Sequence, residues 1–117
     1  MTMKEFYEKI EGDYEGMLAR MMNKEALVKK FALKYLKDGS YNELKNAIAQ
    51  KDIETSFRQA HTLKGVAANL GMTKLSTAAS ELTEQLRDLS SQADPELVKM
   101  VDIEHQRVVD ELQNLEM

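Results

Sequence analysis

Apolar residues recur along this chain at the three- and four-residue steps that line one side of an α-helix. Nowhere do they alternate with polar residues for long enough to build a strand. Leu75, Ala78, Ala79, Leu82, Leu86 and Leu89 form one continuous stripe. Ile53, Phe57, Ala60, Leu63, Ala67 and Leu70 form a second, and Leu97, Val101, Val108, Leu112 and Leu115 a third. A shorter earlier set comprises Leu27, Phe31, Tyr35 and Leu36. Amphipathic segments of this kind bury their stripes on one another. The expected fold is therefore all-α: an antiparallel four-helix bundle with short connections, its first helices capping one end.

Start and stop signals divide the chain into segments near 3–11, 14–22, 24–37, 41–51, 53–70, 74–91 and 95–115. Thr2 with Glu5 and Ser40 with Glu43 have the spacing of a capping box, in which two first-turn N–H groups are satisfied reciprocally. Asp13, Asn23, Asp52 and Thr73 read as single N-caps. Asp94 followed by Pro95 marks a further start, since proline at the first helical position gives up an N–H that has no intrahelical partner. Gly12, Gly39 and Gly71 follow periodic stretches, where a left-handed residue can close a helix.

The 117 residues suit one domain, 1–117, with no internal repeat or linker. The absence of Cys excludes a disulfide framework and a Cys-based zinc site. The first sixteen residues mix charges with no apolar run, so they predict neither a signal peptide nor a membrane span, and a soluble, cytoplasmic protein is expected. A net charge of −4 with dispersed Lys and Arg offers no basic face, which argues against nucleic acid as a partner. With five glycines and no Gly-rich phosphate loop, G-x-S-x-G or H-E-x-x-H, the chain lacks the material for a nucleotide cradle.

Two histidines remain as candidate chemistry. His61 lies one position past the core residue Ala60, rotated by about 100° towards the edge of the apolar face. Glu54, Arg58, Lys64, Gly65 and Ala68 share its side. Glycine within a helix costs about 1 kcal/mol relative to alanine, so Gly65 needs a reason. Either a neighbouring helix approaches closely, or an open notch beside the imidazole admits another molecule; the residues alone leave the two readings nearly balanced. His105 falls on or beside the stripe of the last helix, where a packed or boundary histidine is expected. Asp102 and His105 make a D-x-x-H pair, but a bundle di-metal site needs a second such pair, and Arg58 stands three positions before His61. No metal is expected on this chain. Met17, Met21 and Met22 read first as core gap-fillers and second as an adaptable docking patch.

The stretch Ala60-His61-Thr62-Leu63-Lys64-Gly65-Val66-Ala67-Ala68-Asn69-Leu70-Gly71 closely resembles the phosphoacceptor segment of histidine-containing phosphotransfer (HPt) domains, with its His-x-x-Lys-Gly followed by a second Gly. Phe57-Arg58-Gln59 before it, Asp13-Tyr14-Glu15-Gly16 and Phe31 to Leu36 further upstream, and Leu75 with Ala79 to Leu82 downstream extend the likeness over roughly residues 13–90. It departs from the family at Val66, where a small residue or Ser is common. It departs again at Thr83, twenty-two residues past His61, where the family often has Glu or Gln to bond the imidazole or phosphate. Sensor-kinase dimerisation domains resemble a His followed by an acidic residue and soon a Pro, whereas here Thr62 follows and the only proline is Pro95.

The resemblance implies a phosphocarrier rather than an enzyme: His61 as acceptor, Lys64 as phosphate stabiliser, Gly65 as clearance and Thr83 as a hydrogen-bonding residue. Neutral imidazole is a suitable nucleophile near physiological pH, and Lys64 lies one turn on. The partners implied are receiver domains or a hybrid sensor kinase, docking on Met17, Met21, Met22, Arg58 and Ala68. The divalent metal belongs to the receiver, this chain needs no cofactor, and a free-standing monomer is expected. The alternative is an interaction module of the same fold that carries no phosphate.

Overall fold

The structure, a computed structural model, describes residues 1–116; Met117, the last residue of the expected domain, lies outside the described residues. Seven α-helices occur among the described residues: α1 Met3–Lys9, α2 Tyr14–Arg20, α3 Glu25–Leu33, α4 Ser40–Ala49, α5 Ile53–Asn69, α6 Thr73–Leu86 and α7 Pro95–Glu116. A 3₁₀ turn, Lys34–Lys37, extends α3. The molecule is all-helical, with helices α4 to α7 as the bundle and α1 to α3 packed over one end of it.

Thr2 closes the expected capping box, its hydroxyl accepting from the Glu5 amide while the Glu5 carboxylate accepts from the Thr2 amide. Asp13 and Asp52 cap α2 and α5 through the amides of Gly16 and Thr55, and Asp94 accepts from the Glu96 amide at the start of α7. Ser40, Asn23 and Thr73 do not cap. Ser40 is the first residue of α4, and Asp38 accepts from its amide instead. Asn23 takes a left-handed φ of 60° before Lys24 enters α3, and Thr73 opens α6 behind Met72. Among the three expected glycine closures, Gly71 alone has a positive φ, 72°. The stripe of α6 ends at Leu86, because Leu89 lies beyond the helix in a left-handed conformation and is exposed.

The core runs through every helix, with Phe6, Tyr7, Met17, Val28, Leu44, Leu63, Leu75, Leu82, Leu86, Val101 and Leu112 all buried. The α5–α6 turn is clamped to the N-terminal helices. The Tyr7 hydroxyl donates to the Leu70 carbonyl at 2.6 Å, and the Asp13 amide donates to the Gly71 carbonyl at 2.9 Å. A Cβ at Gly12 would meet that same carbonyl at 2.5 Å, so glycine is required there by close approach. The clamp fixes the C-terminal end of α5 and, through a rigid seventeen-residue helix, the residues two turns back.

Where α4 faces α7, long side chains span the seam. Lys45 bridges both carboxylate oxygens of Asp102 at 2.8 and 2.9 Å, and the Tyr41 hydroxyl donates to Asp102 at 2.6 Å. His105 stacks on the Tyr41 ring at 3.5 Å between centroids, and its Nδ1 is 2.6 Å from the Tyr35 hydroxyl. Burial holds the imidazole below the usual histidine range, and Asp102 opposes that fall in part. His105 is thus a packed, hydrogen-bonded residue of the bundle seam.

Candidate functional site

Helix α5 presents two different sides. Ser56, Ala60, Leu63 and Ala67 are buried at the three- and four-residue spacing that faces α4 and α6. His61, Gly65 and Ala68, at the same spacing one position on, are exposed. The helix continues without interruption through Gly65, whose φ is not positive. A Cβ built there meets nothing within 4 Å. No helix among the described residues needs the space, and of the two readings of Gly65 the close-packing one fails.

Lys64 is half-buried, and its backbone carbonyl accepts from the Ser76 hydroxyl at 3.2 Å, which fixes the register of α5 against α6. No ion pair involves Lys64 among the described residues. Its ammonium, one turn from His61, is free to meet an anion arriving at the imidazole. The His61 ring itself stacks on Phe57 one turn earlier, with centroids 6.4 Å apart and planes 23° from parallel.

Two charged residues, Glu84 on α6 and Arg87 just past its end, belong to this neighbourhood and were not among the sequence-based candidates. Arg87 places its guanidinium over the Phe57 ring, 5.6 Å from the centroid. It also grips Glu84 bidentately at 2.6 and 3.0 Å. The bond from Arg87 lowers the Glu84 carboxyl below its ordinary range, with Lys64 and His61 adding to the effect. His61 and Lys64 therefore share one neighbourhood with Phe57, Glu84 and Arg87. The signal for Glu84 lay in the antiparallel α5–α6 hairpin, which brings the second half of α6 back beside His61.

Thr83 does not take part. It is fully buried, and its hydroxyl donates to the Ala79 carbonyl one turn back at 2.7 Å. Its position, four residues from Ala79 and three from Leu86, is in phase with the apolar stripe, so the hydroxyl is spent on its own helix. Met17 is likewise withdrawn from the docking set: it is wholly buried, its Cβ lying against the Gly71 turn. Met21 is half-buried and packs on the core, whereas Met22 is exposed, with a positive φ of 56°. Arg58 is exposed and donates to Thr55 at 3.1 Å, with Glu54 3.8 Å away. Ala68 is exposed, and its carbonyl accepts from Arg20 at 3.4 Å, bringing the end of α2 over this end of α5.

A family model described as Hpt domain matches residues 40–116, the stretch that forms α4 to α7. No curated protein and no solved structure matches the chain. The chain belongs to the Hpt domain family of phosphotransfer modules in two-component signalling, whose members are phosphocarriers and not kinases. The match begins after α1 to α3, so the upstream part of the likeness rests on the residues alone. No helix among the described residues is long and apolar enough to cross a membrane.

Proposed function

We propose that this chain carries a phosphoryl group on His61 and exchanges it with an aspartate of a receiver domain in a multistep phosphorelay. The observation that carries the reading is the open flank at Gly65, beside an exposed imidazole and an unpaired Lys64. In the forward step an unprotonated ring nitrogen of His61 attacks the phosphorus of the receiver's aspartyl phosphate. The P–N bond forms as the P–O bond breaks, and the aspartate leaves as a carboxylate; reversal returns the group. The moving phosphoryl group carries its charge on three oxygens, so catalysis consists of positioning and charge stabilisation. Lys64 supplies one cation, and the receiver supplies the divalent metal, leaving this chain with no cofactor of its own.

Met21, Met22, Arg58 and Ala68 form the proposed docking rim around the notch at Gly65. The chain acts as a monomeric, cytoplasmic single domain whose partners are receiver domains or a hybrid sensor kinase, with neither nucleic acid nor membrane as a partner. Incubation with a receiver carrying labelled aspartyl phosphate tests the reading. Transfer should give an acid-labile, base-stable label on this chain. A chain that binds the receiver and never takes the label would be an interaction module of the same fold.

A further inference from the structure

The charged patch beside His61 contains one residue whose sign is wrong for holding phosphate. Glu84 is more than half exposed and is gripped by the Arg87 guanidinium, which covers Phe57, the imidazole's stacking partner. Its carboxylate is linked to His61 through Arg87 and the Phe57 ring, and the charges of Lys64 and His61 act on it, so a phosphoryl group on His61 would share its field. There it acts in two ways. It repels a dianion directly, and it competes with that dianion for the Lys64 ammonium.

Resting on the phosphocarrier reading, we propose that Glu84 sets the lability of phosphohistidine at His61 and that Arg87 meters this effect by neutralising the carboxylate. An exposed ion pair holds its partners weakly, so the pair moderates the field at His61 without locking it. Glu84 is a positioning residue in this scheme, acting through the field it places on the phosphoryl group and on Lys64. Loss of the group to water breaks the P–N bond, forms a P–O bond to water and returns a proton to the ring nitrogen. The carboxylate raises the starting state of that step by repulsion.

The two members of the pair make opposite forecasts, which a purely structural role does not. Glu84→Gln and Arg87→Gln both break the same ion pair. If the pair served only to hold α6, the two variants would act alike. The full-length chain can be phosphorylated with phosphoramidate, whose P–N bond breaks as ammonia leaves with a proton and the new P–N bond to the imidazole forms. The half-life of the label is then followed at neutral pH. A charge and a dianion this close in water alter a rate by a few-fold after salt screening. Glu84→Gln should lengthen the half-life about threefold and Glu84→Ala should match it, while Arg87→Gln should shorten it about twofold. Because Arg87 acts through Glu84, the double variant should follow Glu84→Gln.

Equal half-lives in all variants, or a change of the same sign in Glu84→Gln and Arg87→Gln, would overturn the proposal and leave the phosphocarrier reading standing. A wild-type chain that takes no phosphoryl group on His61 from phosphoramidate or from a phosphorylated receiver would overturn both.

Discussion

Replacement of Gly65 separates clearance for a partner from every structural role the residue could have. The position lies inside α5, has no positive φ, and offers open space for at least 4 Å around an added Cβ. Gly65→Ala therefore removes only the backbone freedom of glycine in the unfolded chain, and should stabilise by about 0.5–1 kcal/mol. For a domain of this size the unfolding entropy converts that gain into a rise in Tm of about 2–4 °C. Gly65→Gln should also melt at or above the wild-type temperature, because glutamine is a good helix former and a Cβ at this exposed position meets nothing within 4 Å. Docking is different. A long side chain one turn from His61 fills the approach, and overpacking of about 1–3 kcal/mol at the interface corresponds to a slowing of about 5- to 150-fold. Calorimetric melts and transfer rates from a phosphorylated receiver read the two effects independently. A fall in Tm for both variants would show that the fold needs the space, and a stable Gln variant transferring at the wild-type rate would refute the clearance role.

Three further outcomes follow from other residues. Lys64→Ala should slow transfer and shorten the phosphohistidine half-life while leaving Tm within about 0.5 kcal/mol equivalent of wild type; unchanged transfer and half-life would make Lys64 part of a solvated face. Thr83→Val removes a buried hydroxyl that bonds only its own helix, so transfer should persist at the wild-type rate in the folded variant; lost transfer with intact stability would restore Thr83 to the site. His105 titrates lower in the folded than in the unfolded chain because of burial. Its contribution to stability is therefore present above the unfolded value of about 6.5 and is lost as pH falls through the lowered folded value. Urea midpoints should drop more steeply between neutral pH and pH 5 in wild type than in His105→Gln, and parallel profiles would remove His105 as the cause.

The long helices were legible because seventeen or more residues repeat a stripe often enough to fix its phase, and α5 and α7 fall where the pattern put them. The gap-filling reading of Met17 holds and the docking one fails, and a seven-residue helix contains too few turns to choose between them by sequence. Tertiary contact with the Gly71 turn decides that. The caps divide in the same way. Asp13, Asp52 and the Thr2–Glu5 pair act within their own turn, whereas Ser40 yields to Asp38, a competitor two residues upstream. Thr83 was placed by counting from His61 rather than by its phase on α6, which already marked it as buried. His61, Lys64 and Gly65 sit within one turn of each other and so were visible as a local pattern. Glu84 and Arg87 reach the same patch only through the α5–α6 hairpin, a relation that spacing alone does not display.

Site mapping of the phosphoryl group tests the central claim most directly. The full-length chain is labelled by a phosphorylated receiver, digested at alkaline pH to keep phosphohistidine intact, and sequenced by mass spectrometry alongside His61→Gln. The account predicts a single phosphoryl group on the peptide containing His61, and no label in a His61→Gln variant that melts close to wild type, since the ring is exposed and leaves the core untouched. Label on His105, or equal label in wild type and His61→Gln, would contradict it.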